Sequence, residues 1–292
     1  MTTITAFIKR HPVATYFALA CAISWGLVLL IIGGPGKILV TREQIETLLP
    51  FVILAMLPGP SIAGILMTGL VHGRAGFREL LSRLLRWRVG ARWYAVALLT
   101  APLLAMATLF ALLPTSPAFL PGILASDDKA SLLVFGIAGA LVVGFFEELG
   151  WTGFATPELR RRYSVLSTGL LVGILWGAWH SFLAFWGSGA SSGGISLALL
   201  LPELLYYVAV LPVYRVLMVW VYDHTGSLLV AMLMHASLTG GLAMILMPPA
   251  ISGAPLMTWH LVLTAALWVA VAAVAVASRG QLSQQPLRRV AA

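Results

Sequence analysis

Eight apolar runs dominate this chain, near residues 13–33, 48–71, 93–113, 131–154, 165–187, 197–221, 226–247 and 257–277. Each can cross a hydrocarbon core of about 30 Å at about 1.5 Å per helical residue. In lipid the backbone must satisfy its own polar groups, and runs of this length do so as helices. The fold class expected is therefore all-α, a polytopic bundle of about eight transmembrane helices. Composition agrees: 60% of the 292 residues are hydrophobic and 10% charged, with mean hydropathy +0.96, whereas a soluble domain carries about 25% charge.

The net charge of +8 does not point to nucleic acid, because the bases fall in short clusters between the apolar runs. With Lys9 and Arg10 cytoplasmic, so are Arg74, Arg78, Arg83, Arg86, Arg88, Arg92, Arg160, Arg161, Arg162, Arg215, Arg279, Arg288 and Arg289, leaving Lys37, Arg42 and Lys129 outside. That fifteen-to-three split predicts an integral, multi-pass cell-membrane protein with both termini cytoplasmic. A cleaved signal peptide is the competing reading of the N-terminus, but the apolar run continues from Ala22 through Leu27 to Ile32, which suits a retained span. The lone cysteine, Cys21, permits no intramolecular disulfide, so helix packing must hold the fold. No internal repeat or long linker divides the chain. It reads as one membrane domain over residues 1–292, with its functional core near 131–247 and a short extracytoplasmic Ser/Gly-rich loop from Gly187 to Gly194.

Between the second and third spans, Arg74 to Arg88 places Phe77, Leu80, Leu81, Leu84 and Leu85 at helical spacing with arginines around them. The pattern predicts an amphipathic helix on the cytoplasmic interface, its apolar face in the membrane and its arginines toward lipid phosphates.

The chemistry lies in the exceptions, since an ionisable residue deep in a span costs about 2.5 to 3.5 kcal/mol and persists for function or pairing. Glu147 and Glu148 stand in the fourth span, His180 in the fifth and His235 in the seventh. Span limits put Glu147 and His235 about 10 to 15 Å from the cytoplasmic side and His180 deeper, a gap that shifted or broken helices would have to close. Adjacent helical residues point about 100° apart, so one glutamate can activate water while the other pairs elsewhere. His235 and Thr239 share a helix face and can both hydrogen-bond a developing oxyanion. No serine or cysteine nucleophile is comparably placed. The reaction this favours is amide hydrolysis by a Glu-activated water. Two histidines and a carboxylate, here His180, His235 and Glu147, would also suffice for zinc or another divalent metal with one position open. Trp151, Trp176 and Trp179 read as packing or interface anchors, Glu203 and Arg215 as residues near the ends of the sixth span, and His11, His72, His224 and His260 as interfacial. The competing class is a non-catalytic membrane scaffold, an immunity factor or a proton-coupled transporter that keeps the polar cluster for packing or relay.

At these residues the chain resembles the CPBP intramembrane proteases, which include type II CAAX prenyl endopeptidases and bacterial abortive-infection and bacteriocin-immunity proteins. Glu147 and Glu148 match the glutamates of the motif EExxxR, with Thr152 in place of its Arg. Trp176 and His180 stand for FxxxH, with Trp in place of Phe, and His235 with Thr239 stand for a His followed four residues on by Asn. The Asp223–Ser227 turn, Gly59 to Ala63, the Arg-rich helix and Trp93-Tyr94 extend the likeness from about residue 50 to 245. The resemblance implies an intramembrane endopeptidase acting on a peptide or membrane-protein substrate, with Glu147 activating water, His180 holding that water, His235 supporting the oxyanion and Glu148 behind them. Trp176, Thr239 and Arg215 would support the site, and Arg215 is the candidate to replace the missing motif arginine.

Overall fold

The computed structural model describes residues 3–39, 41–189, 194–249, 251–280 and 282. The expected Gly187–Gly194 loop lies partly outside these residues, and Arg288 and Arg289 wholly so. The helices are α1 (Thr3–Arg10), α2 (Pro12–Ile32), α3 (Arg42–Met56), α4 (Pro58–Leu84), α5 (Ala91–Leu112), α6 (Gly122–Ala125) and α7 (Lys129–Gly150). They continue with α8 (Thr156–Arg160), α9 (Val165–Gly187), α10 (Leu197–Leu205), α11 (Leu211–Thr225), α12 (Leu228–Leu238) and α13 (Gly253–Ala277). Among the described residues no strand forms, and eight helical stretches are long and apolar enough to cross a membrane. The all-α polytopic bundle read from the apolar runs is the fold.

Three spans are assembled from two pieces joined or extended by π-helical turns, at Trp151–Ala155, Tyr206–Val210 and Thr239–Ile245. Through them the fourth span runs from Lys129 to Arg160, the sixth from Leu197 to Thr225 and the seventh from Leu228 to Ile245. A π turn inserts a residue and leaves carbonyls without their usual donors, and such turns concentrate at functional sites. Here Thr156 Oγ1 donates to the Trp151 carbonyl at 2.7 Å and Arg83 Nη2 to the Gly153 carbonyl at 3.0 Å, which satisfies the first of these interruptions.

The second span and the amphipathic segment are one helical path broken at Gly73, whose φ of 61° and ψ of −148° lie where only glycine sits without strain. The expected surface helix ends at Leu84, earlier than Arg88, and Arg86 to Arg88 are non-helical. Nor do its apolar residues form one lipid-facing stripe. Leu80 is buried against Leu228 and Met232 with Leu84 beside them, while Phe77, Leu81 and Leu85 are exposed. Arg83 binds Tyr222 Oη at 2.8 Å as well as Gly153, so the segment is docked on the bundle as well as turned outward.

The arginine-rich loops thus mark one end of the bundle. At that end Arg160 grips Asp223 through two bonds of 2.9 and 2.6 Å, and Ser227 Oγ caps α12 by accepting from Val230 N at 3.2 Å. Buried tryptophans, tyrosines and aliphatic residues from α2, α9, α11 and α12 fill the centre, and α9 lies along α11 with small residues between them.

Candidate active site

Glu147 and Glu148 occupy the last turn of α7, immediately before the first π segment. Continuation of that span to Arg160 places Glu147 about 20 Å from its arginine-rich end, and His180 lies about 22 Å into α9 from Val165. The apparent difference in depth between them disappears because the fourth span is longer than its apolar run. Glu147, His180, His235 and Thr239 line one cavity of about 210 Å³ with Trp176, Trp179, Tyr206 and Tyr207.

The two carboxylates divide as their helical offset requires. Glu147 Oε2 accepts from two indoles, Trp151 Nε1 at 3.0 Å and Trp176 Nε1 at 2.7 Å. Both bonds fall on the same oxygen, so Oε1 remains available. Glu148 turns away into a fully buried ionic cluster: its Oε1 accepts from Arg215 Nη1 at 2.6 Å and from His235 Nδ1 at 2.8 Å, and its Oε2 from the Thr152 hydroxyl. Arg215 Nη2 donates in turn to Thr152 Oγ1 at 2.9 Å. Thr152, standing where the motif has arginine, therefore bridges Glu148 to an arginine from another helix. Arg215 is fully buried and not interfacial as the run 197–221 implied, because α11 extends to Thr225. Removing it from the cytoplasmic tally changes fifteen to three into fourteen to three and leaves the charge asymmetry intact.

The histidines are oriented from behind. His180 Nδ1 is bonded to the Trp176 carbonyl at 3.0 Å, and His235 Nδ1 to Glu148, which leaves the Nε2 atom of each ring free to serve the cavity. His235 Nε2 stands 3.9 Å from Glu147 Oε2, beyond a direct hydrogen bond. The Trp176 ring packs against His235 with centroids 4.8 Å apart and lies 5.7 Å from Arg215 Cζ. Trp176 thus links both glutamate environments, and the Trp-for-Phe departure supplies an N–H that phenylalanine lacks.

Among the described residues no three His, Cys, Asp or Glu side chains converge as a metal-binding group. Glu147, His180 and His235 share a cavity but are not gathered into such a group.

Several participants escaped the sequence reading. Trp151, read as an anchor, is four residues from Glu147 and hydrogen-bonds it, a relation that i,i+4 spacing contains. Tyr206 and Tyr207 enter the cavity from the π segment, which no apolar periodicity reveals. His260, read as interfacial, is buried and bonded to the Pro202 carbonyl at 2.9 Å, while His72 pairs with Glu158 at 2.8 Å.

Residues 129–241 match the family described as type II CAAX prenyl endopeptidase Rce1-like. The chain is also 47% identical over 45 residues to CAAX prenyl protease 2 of Methanococcus maripaludis, a stretch covering 15% of this chain and 17% of that protein. The resemblance read from the motifs is borne out over the segment that holds Glu147, Glu148, His180, His235 and Thr239.

Proposed function

We propose, from the premise that residues 129–241 form the core of a CPBP-family membrane protein, that this chain is an intramembrane endopeptidase in which Glu147 activates water. The observation that carries the reading is the division of labour between the glutamates. Glu148 is tied to Arg215, His235 and Thr152, whereas Glu147 faces the cavity with one oxygen fixed by two indoles and the other uncommitted. An inactive packing cluster has no need of that asymmetry.

In this reading Glu147 takes a proton from water while the water oxygen bonds to the scissile carbonyl carbon. His180 Nε2 orients that water, and His235 and Thr239 hydrogen-bond the oxyanion. The carbon–nitrogen bond then breaks, and the proton held by Glu147 passes to the leaving amine. Glu148 and Arg215 fix His235 without touching the reacting atoms. The substrate is a peptide segment reaching the membrane, cut within or near its cytoplasmic half, with both termini of the enzyme cytoplasmic. The name of the archaeal relative indicates prenylated C-terminal peptides as the first class to try.

The test is cleavage of a quenched fluorescent peptide library by purified protein in lipid, with and without a chelator. Glu147→Gln should lose about 10²- to 10⁴-fold in rate, and chelator sensitivity would show whether a metal participates. Absence of cleavage by folded wild-type protein across prenylated and unprenylated libraries would transfer the cluster to a scaffold, immunity or proton-relay role.

A further inference from the structure

Hydrolysis consumes one water for each bond cut, yet Glu147 lies about 20 Å from the arginine-rich end of its span. Its cavity is closed in that direction. By helical rise Trp151, Thr152, Trp176 and Arg215 all stand between Glu147 and the arginine-rich loops, and each is at most 2% exposed. Toward lipid the cavity is edged by Ile53, Val143, Ala243 and Met244, side chains that give water no strong hydrogen bond.

The remaining direction is polar. A second cavity, of about 330 Å³, is lined by Arg42, Ser188, Glu203 and Ser252. Arg42 opens α3, Ser188 follows α9 and Ser252 precedes α13, which puts this cavity at the end of the bundle opposite the arginine-rich loops. Arg42 and Ser252 are exposed there. Leu183 and Tyr207 line both cavities, so the partition between them is one side chain thick. These two residues, and His180 on which the Tyr207 ring stacks at 4.8 Å, are half-buried although they lie well inside their spans. Rotamer changes of a side chain such as Leu183 are fast beside enzyme turnovers of about 1 to 10³ per second, and both cavities have room for waters.

We propose that the second cavity is the water entrance of the active site: water passes from the end opposite the arginine-rich loops, between Leu183 and Tyr207, into the cavity that holds Glu147. That this water is consumed on a peptide bond rests on the peptidase reading, whereas the passage itself does not.

The experiment uses Ag⁺, a thiol reagent close to water in size that does not cross lipid, on right-side-out and inverted membrane vesicles holding the Cys21→Ser protein. Single cysteines are placed on the active cavity (Leu238→Cys), on the partition (Leu183→Cys) and on the two bundle ends (Ser252→Cys and Arg162→Cys), the last two marking which side each end faces. Leu211→Cys, on the same active cavity, takes over if Leu238→Cys does not fold. Reaction is read as loss of maleimide labelling after denaturation. Ag⁺ added on the Ser252 side should react with Leu183→Cys and Leu238→Cys, and Ag⁺ on the Arg162 side with neither. Adding Leu183→Phe should slow the reaction of Leu238→Cys by about 10-fold or more, and Leu183→Ala should speed it, while Ser252→Cys responds to neither. An active-cavity cysteine that reacts from the Arg162 side, or from neither side, overturns the proposal, and so does a rate that Leu183→Phe leaves unchanged. If wild-type protein cleaves nothing, the peptidase reading falls while the labelling still decides the passage.

Discussion

Breaking the buried pair of Glu148 and Arg215 should be far more damaging than deleting it. Both side chains are fully buried and 2.6 Å apart. Arg215→Met strands a carboxylate beside His235, and Glu148→Gln strands a guanidinium whose remaining strong contact is the Thr152 hydroxyl. Each single change should destabilise the fold by about 3 to 5 kcal/mol, the usual penalty for orphaning one member of a buried pair. That is about two to four orders of magnitude in the unfolding constant. In the double variant Glu148→Gln with Arg215→Met, the amide oxygen still accepts from His235 Nδ1 and no net charge stays behind, so the expected cost is about 2 kcal/mol or less. The measurement is a mixed-micelle SDS unfolding titration of all four proteins. A double-variant cost equal to the sum of the singles within about 0.5 kcal/mol would show that the two residues do not act as a pair. Moving the arginine to the motif position, Arg215→Met with Thr152→Arg, provides a further arm. It should recover part of the loss of Arg215→Met, because residue 152 lies one turn from Glu148.

Two other substitutions test how the cavity is built. Trp176→Phe installs the residue of the family motif yet removes one of the two donors on Glu147 Oε2; a charge-assisted bond of about 1.5 to 3 kcal/mol predicts a fall in kcat of about 10- to 100-fold, read by peptide cleavage, and an unchanged rate would mean that the indole N–H does not hold the base. Gly177→Ala forces apart α9 and the Tyr206–Val210 turn at the Tyr207 carbonyl, so it should destabilise by about 1 to 3 kcal/mol in the same SDS titration, and wild-type stability would refute the close approach.

What could be read in the sequence was what composition and costly placement encode. Apolar runs delivered all eight spans because lipid leaves the backbone few alternatives, and Glu147, Glu148, His180 and His235 stood out because burial in lipid penalises them. The π turns were hidden, since one inserted residue barely alters an apolar run. Their absence from the reading shortened the fourth and sixth spans, left Glu147 too shallow and put Arg215 at an interface. The break at Gly73 was legible as a change from apolar to amphipathic pattern, but the burial of Leu80 was not, because helical spacing cannot distinguish lipid from a neighbouring helix. Trp151 and Trp176 read as packing because indoles usually pack; their second role as donors depends on where Glu147 Oε2 points, which only the assembled bundle specifies.

The placement of the cation on α11 also orders events in time. A motif arginine at position 152 would enter the bilayer in the same helix as the glutamates and could neutralise Glu148 at once. In this chain the partner of Glu148 lies 67 residues downstream, which at about 5 to 20 residues per second of synthesis is roughly 3 to 13 s later. Over that interval the fourth span lacks the cation that pairs with Glu148 in the folded chain, so the ionic cluster closes only when the sixth span arrives.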